Sequence, residues 1–398
     1  MSSPTTSEVI RDPGGVAAVV AAAHEHGRIA LDFEFLWERT YAPMACLAQV
    51  AIDGRVHLVD PIEGAPLAPI AALVADPDVD VVMHAPSSDL TLLGTHFGTR
   101  PERVLDVQLA AGFIGIGAGQ GLGVLLERGL KVKLDKGEQY TDWSRRPLTG
   151  GQLTYAAADV THLVELADEF LARAERLGRT SWIAEEMARR YGPDSRWVPD
   201  PNEVWRRVKG QGKLSPADRA VLRALAAWRE REAARRDRPT AWIVPDRTLL
   251  EIARRRPTTT GQLAGERGLP ERMRQSDLQG ILGAIAEGTA AEPIHLPAAP
   301  GAELQARMDT LGPLGQILVT ARALDADIAP SLVATRDEIE TFLWGEIGAR
   351  EVSDSPLAIG WRSVLAGQPL RDLAEGRIAL APARSRPFLR EIPRDPDQ

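Results

Sequence analysis

Apolar residues in the first half of the chain fall in short runs separated by turns, and the runs read alternately as strand and helix. Residues 28–35 (RIALDFEF), 45–52 (ACLAQVAI) and 55–60 (RVHLVD) read as strands, and the Asp53-Gly54 pair between the last two is a hairpin turn. Residues 81–84 and 104–107 are short apolar runs suited to buried strands. Helical spacing is expected over 66–75, 87–97 and 106–113, with one long helix from about Thr149 past Leu171. A hairpin followed by strand–helix units predicts a mixed sheet covered by helices. Six glycines between Gly112 and Gly123 read as a flexible connection, because neither G-x-G-x-x-G nor a phosphate loop is present.

After Pro201 the pattern changes to short helices. Ser215-Pro216-Ala217-Asp218 has the order of a helix start, and Val221, Leu222, Leu225 and Trp228 follow at helical spacing. Asp246 and Thr260 are candidate caps. Leu278, Ile281, Leu282 and Ile285 form a further apolar stripe, expected to stop before Gly288. Trp205, Trp228 and Trp242 are expected to pack this module. Residues 288–301 read as a linker rich in proline and alanine, and a second helical region follows. The last residues, from Ala381 on, read as a poorly ordered tail. The expected units are therefore 1–205, 206–290, a linker at 291–301, 302–380, and a tail at 381–398.

Composition adds limits. The 398 residues carry a net charge of -8, with 44% hydrophobic and 26% charged side chains, as in an ordinary globular protein. No apolar run approaches the roughly 18 residues that span a bilayer, and residues 1–15 lack the pattern of a secretory signal, so no membrane partner and a cytoplasmic location are expected. Cys46 is the single cysteine, which excludes an internal disulfide and a cysteine-built zinc site. The negative total excludes a uniformly basic nucleic-acid binder but not a local one. Residues 203–256 hold 15 Lys/Arg against 7 Asp/Glu.

The chemistry-bearing candidates are acidic. Asp32 and Glu34 stand two apart in an otherwise apolar strand, so both project from one face. Buried acids need neutralisation, and a divalent cation that prefers carboxylate oxygen provides it. An exposed edge face with two solvated acids is the plainer alternative. Asp89 follows a predicted strand at the opening of a helix, where site residues gather and where an acid also simply favours the helix dipole. Tyr155 and Asp159 are four apart on a predicted helix and share a face, although ordinary packing has the same spacing. Several carboxylates around two cations are what two-metal phosphodiester hydrolysis requires. The seven histidines show no H-E-x-x-H spacing, and no G-x-S-x-G nucleophile elbow occurs. His84 and His162 are expected to be structural. Trp143 reads as a loop anchor or a platform for a base.

The segments LDFEF, HAPSSDL and YAAADV, in this order, resemble the three motifs of the DEDD superfamily of 3′→5′ exonucleases. The tyrosine four residues before the last aspartate resembles the tyrosine subgroup. The stretches ALDFEFLWERTYAP and LDKGEQYTDWSRRPLTGGQLTYAAADVTHL are similar to the ribonuclease D family. The resemblance implies an α/β, ribonuclease-H-like exonuclease domain with a mixed five-stranded sheet, followed by all-α HRDC domains. It implies that Asp32, Glu34, Asp89 and Asp159 hold two divalent cations, Mg²⁺ or Mn²⁺, with Asp32 bridging both. Tyr155 would orient the attacking water, and Thr40 and Tyr41 would contact the RNA end. Between His84 and Asp89 this chain has Ala-Pro-Ser-Ser, a departure from the family's usual small-then-polar pattern. The module from about Lys213 to Glu287 resembles an HRDC domain, on the strength of residues 222–257, and 332–345 with 359–373 resemble a more divergent copy. The implied activity is 3′→5′ exoribonuclease, releasing 5′-mononucleotides from RNA with a single-stranded 3′ end, tRNA precursors among them, with no nucleotide cofactor. A DNA 3′→5′ exonuclease and a catalytically silent RNA-binding protein are the alternatives.

Overall fold

The computed structural model describes residues 8–134, 141–266, 268–269, 273–297, 300–348 and 355–394. Residues 135–140 of the LDKGEQY stretch lie outside the described residues. The N-terminal sheet has six strands: β1 (Glu8–Ile10), β2 (Arg28–Leu36), β3 (Met44–Ile52), β4 (Arg55–Val59), β5 (Asp80–Met83) and β6 (Val104–Asp106), in the order β1-β4-β3-β2-β5-β6. The five strands expected from the sequence are β2 to β6. The sixth, β1, is a three-residue run too short to show a period, and it pairs in parallel with β4. β2, β3 and β4 form an antiparallel meander, whereas β2-β5 and β5-β6 are parallel. Asp53 and Gly54 both have positive φ, 46° and 73°, as a two-residue type I′ turn requires.

Helices cover the sheet. Pro13–His26, which the periodicity did not reveal, is capped by Asp12, whose side chain accepts from the amides of Gly14 and Gly15 at 2.9 and 3.1 Å. The long helix expected from Thr149 is two helices, Gly150–Thr161 and Leu163–Arg176, which meet at a non-helical His162. The first packs on β2, β3 and β4 and the second on the helices Val107–Phe113 and Leu122–Leu130. The break lets one stretch serve two surfaces, a tertiary demand that leaves no mark in the sequence.

The HRDC-like module has its own core, in which Trp205 is fully buried. Ser215 caps Pro216–Arg236 as expected, its hydroxyl accepting from the Asp218 amide at 3.1 Å. The next two starts fall one residue away from the expected caps: Asp246 is the first helical residue after Pro245, and Thr259 rather than Thr260 is the cap. The last helix, Gln275–Ala290, runs through Gly288 instead of stopping before it. A Cβ at Gly288 would lie 2.4 Å from Val221 Cα, so glycine is there to bring two helices together. Trp242 is not a packing residue: it is 55% exposed.

The C-terminal region begins with Ala302–Asp325 as expected and adds Pro330–Val333, Arg336–Glu346 and a last turn at Gln368–Ala374. Its core is continuous with that of the sheet domain. Trp361 stacks on Trp182 at 5.3 Å between centroids and meets Phe113 edge-on at 5.1 Å. The tail expected to be poorly ordered forms an antiparallel ribbon, β7 (Ile378–Pro382) with β8 (Leu389–Pro393). β7 (IALAP) is a short apolar run without polar alternation, and β8 (LREIP) is broken by charge and proline, so neither stands out alone. Among the described residues no helix is long and apolar enough to cross a membrane.

Candidate active site

β2 is flanked by β3 and β5 and carries the first two acids. Phe33 between them is buried, so Asp32 and Glu34 project from the same face. The register shifts at Glu34/Phe35, a bulge beside the acids, and pairing continues through Phe35 with Ala45 and Leu36 with Met44 before the chain turns into the loop at 37–42.

Asp89 lies in the first turn of the helix Ser87–Phe97 and is 6% exposed. The turn before it is sharp. Ala85 has φ 53°, and its amide donates to Asp106 Oδ1 at 2.9 Å. The Asp106 carboxylate also accepts from the Gln108 amide and the Tyr191 hydroxyl, both at 2.8 Å. Pro86 is accommodated as the residue before the first helical position. The Ala-Pro-Ser-Ser departure therefore leaves Asp89 in its turn.

Tyr155 and Asp159 come from the helix Gly150–Thr161, fixed by a capping box: Thr149 Oγ1 accepts from the Gln152 amide at 3.1 Å and Gln152 Oε1 from the Thr149 amide at 3.0 Å. Fully buried Ala156 and Val160 press this helix on the sheet and turn Tyr155 and Asp159 toward β2. Asp32, Glu34 and Asp159 each bring one ligand atom to within 4.8 Å of the others. Asp89 stands outside that triplet, yet its charge is second only to burial in acting on Asp32.

The electrostatics follow from crowding acids in a dry place. Burial, then the charges of Asp89, Asp159 and Glu34, hold the Asp32 carboxyl well above the usual carboxylate range. Burial and the charges of Asp159 and Asp89 push Glu34 up to about 8. Burial raises Asp89 to about 7, and it raises Asp159 to about 6 against the pull of a hydrogen bond from Tyr155. No lysine or arginine contributes to any of these shifts. Four carboxylates with no cation from the described residues among them are a donor set for hard divalent cations. The Tyr155 phenol is raised by burial and by the charges of Asp159, Glu34 and Asp32, so it keeps its proton and remains a donor.

Sequence reasoning missed the support for Tyr155. Its ring packs on Trp143, 6.0 Å between centroids, and Trp143 is 3% exposed, which makes it an anchor and not a base platform. Arg146 holds this loop to the sheet. It donates to both oxygens of buried Asp60 at 2.6 Å, to the Cys46 carbonyl at 2.7 Å and to the Trp143 carbonyl at 2.8 Å. An Arg–Asp pair 86 residues apart leaves no local signal. His84 bonds the Gln120 carbonyl at 3.0 Å and His162 bonds Glu165 at 3.2 Å, both away from the acids.

Thr40 and Tyr41 line a cleft of about 750 Å³ between the sheet domain and the HRDC-like module, with Trp37, Ser87, Trp197 and Arg207. Thr40 Oγ1 is buried there without a partner. The Tyr41 hydroxyl is engaged, donating to Glu230 Oε1 at 2.8 Å.

The comparisons with known proteins agree with this geometry. Residues 7–175 match the 3′-5′ exonuclease family model and residues 218–285 the HRDC domain model. Ribonuclease D of Zymomonas mobilis is 36% identical over 94% of this chain and 95% of its own length. Ribonuclease D of Sphingobium indicum is 35% identical over 94% and 96%. The crystal structure of Escherichia coli RNase D, described as an exoribonuclease involved in structured RNA processing, superposes with a TM-score of 0.77 at 26% identity, covering 94% of this chain and 99% of that one. The sheet with its facing acids, the helical module behind it and these relatives along nearly the whole length place the chain in one family: it belongs to the ribonuclease D family of 3′→5′ exoribonucleases.

Proposed function

We propose that the chain shortens RNA from a single-stranded 3′ end by two-metal hydrolysis, releasing 5′-mononucleotides, and that precursors of tRNA and other small structured RNAs are its substrates. One observation carries the reading: Asp32, Glu34 and Asp159, each half-buried, converge within 4.8 Å, and no lysine or arginine among the described residues acts on their charge. Asp32, Glu34, Asp89 and Asp159 are the residues that would hold two divalent ions, Mg²⁺ or Mn²⁺. Bound there, the ions would lower the pKa of a water and offset charge building on the phosphate.

The chain's own groups do the rest. Asp32 feels the charges of Asp89, Asp159 and Glu34 and would be the carboxylate that serves both ions. Tyr155, protonated and braced by Trp143, holds the attacking water with its hydroxyl and keeps it in line with the bond to be broken. The water oxygen bonds to phosphorus, and the bond from phosphorus to the 3′ oxygen of the preceding nucleotide breaks. That oxygen takes up a proton, and the water gives one up. Thr40 meets the RNA end from the cleft wall, and the Tyr41 ring lines the same cleft. The HRDC-like module, 206–290, guides the strand. The helices at 302–380 are a divergent second copy that docks on the catalytic domain, 1–205, across the linker at 291–301, with 381–398 as its tail. The work is placed in the cytoplasm.

The test is a time course on a 5′-labelled, 3′-tailed RNA and its DNA equivalent with Mg²⁺, Mn²⁺ or EDTA. Stepwise shortening of the RNA alone, stopped by EDTA, is the expected result. Equal shortening of DNA would defeat the ribose preference, and shortening in EDTA would defeat the metal assignment.

A further inference from the structure

Trp242 is the exposed side chain of a four-residue helix, Thr240–Ile243, whose neighbour Ile243 is buried. The Arg238 guanidinium lies over its ring, 5.9 Å from the centroid. Both line a pocket of about 550 Å³ with Arg235, Arg236 and Arg274. Two carboxylates reach these guanidiniums: Glu232 bonds Arg235 and Arg236, and Asp277 bonds Arg236. Four arginines against two acids leave the pocket positive in a chain whose total is -8. Arg238 has no carboxylate partner among the described residues, and its guanidinium lies over the indole face.

The position of this pocket gives it meaning. Pro239 and Thr240 line the 750 Å³ cleft whose opposite wall holds Trp37, Thr40 and Ser87, the last two residues from Asp89. Arg238 and Trp242, on either side of Pro239 and Thr240, line the arginine pocket. One five-residue segment therefore borders both the cleft, which Ser87 of the Asp89 turn lines, and the positive pocket. Extended backbone leaving the cleft at this segment meets guanidiniums that bond phosphate and an indole face on which any base can stack.

We infer that the Arg238–Trp242 pocket is an upstream docking site for single-stranded RNA, with phosphate on Arg238 and its neighbours and a base on Trp242. The inference rests on the exoribonuclease reading above and adds where the strand goes after leaving the acids. Contacts of this kind are independent of sequence, as a trimming enzyme needs.

The test uses the full chain and RNAs lengthened one nucleotide at a time from the dinucleotide. For the wild type, KM should fall at the length that first reaches the pocket, with kcat unchanged. Trp242→Ala should lose that fall, raising KM for longer RNAs roughly ten-fold, with dinucleotide constants unchanged and Trp242→Phe keeping part of the effect. Arg238→Gln should lower the log–log salt slope of binding by about 0.7, and Arg238→Lys should restore it. The same length dependence in wild type and Trp242→Ala would overturn the inference. If the wild type cleaves no RNA, the activity reading fails instead, and the pocket is then judged by affinity along the same length series. No step in affinity there, or one that survives Trp242→Ala, also overturns it.

Discussion

The Tyr41 hydroxyl donates to Glu230 across 2.8 Å, joining the loop that follows the first two acids to the long helix of the HRDC-like module. The junction has more bonds. Asp237 at the end of that helix accepts from the amides of Tyr41 and Ala42 at 2.9 and 3.1 Å, while within the loop Trp37 Nε1 donates to the Tyr41 carbonyl at 2.9 Å. The loop from Trp37 to Ala42 is thus shaped from outside its own domain. Tyr41, which the family resemblance marks for the RNA end, spends its hydroxyl on this junction.

Tyr41→Phe removes the donor and leaves the buried Glu230 carboxylate with one partner fewer. The expected cost is about 1–3 kcal/mol, because the acceptor is charged and loses water as well as its partner. Thermal unfolding of the variant should begin earlier, with new protease sensitivity near Ala42. An unchanged midpoint would mean that Glu230 finds water in place of the phenol.

Asp32→Asn should abolish RNA shortening while leaving RNA affinity intact. It should also raise the metal-free melting temperature, since it removes an acid whose ionisation is opposed in the fold by burial and by the charges of Asp89, Asp159 and Glu34. Loss of activity with a lowered melting temperature would instead mark Asp32 as structural. Tyr155→Phe keeps the packing on Trp143 and loses the water's hydrogen bond, so kcat should fall roughly 100-fold with metal affinity little changed. An unaltered kcat would reduce the tyrosine to a packing residue.

What was legible in the sequence is what short-range pattern encodes. Two acids at a spacing of two in an apolar strand placed Asp32 and Glu34 on one face, and a spacing of four placed Tyr155 with Asp159. The Ser215-Pro216 start and the Asp53-Gly54 turn were local chemistry and were visible. Relations between distant segments were not. Arg146 with Asp60, Tyr41 with Glu230 and Trp361 between Trp182 and Phe113 have no shared periodicity to betray them. The break at His162 has no glycine or proline to announce it, only two surfaces to satisfy. Trp242 misled for the same reason: a tryptophan within a helical module reads as core until the neighbours are in place.

The acids also set a pH dependence. Glu34 titrates near 8 in the fold against 4.5 ordinarily, Asp89 near 7 and Asp159 near 6 against 3.8. The folded state therefore holds extra protons between those limits, and its stability falls as pH rises through them. Without metal, the melting temperature should drop between pH 5 and pH 8. Mg²⁺ or Mn²⁺ should raise it more at the upper end, where the carboxylates are ionised and bind. A metal effect equal at both ends would detach these acids from the ion.

The C-terminal helices answer to the opposite sign. Glu186 is fully buried; burial would raise its carboxyl, but hydrogen bonds from Arg189, Arg362 and Arg190 hold it at about 2. Its contribution is present above 4.5 and is lost as pH falls through about 2. Arg362, 3% exposed, also donates to the Leu332 and Val333 carbonyls at 2.7 and 2.9 Å, so this one cluster ties the catalytic domain to the helices beyond residue 300. Glu186→Ala strands that guanidinium and should cost about 3–5 kcal/mol. Trp361→Ala empties the space between Trp182 and Phe113 and should cost about as much. Removing everything after Gly288 takes away Arg362 and Trp361 together, leaves Glu186 with Arg189 and Arg190 alone, and bares the apolar face that the helices cover. The truncated chain should therefore lose thermal stability in its exonuclease domain and not only affinity for structured RNA. Differential scanning calorimetry decides: a truncation that melts like the full chain would mean that the C-terminal helices rest on the catalytic domain without supporting it.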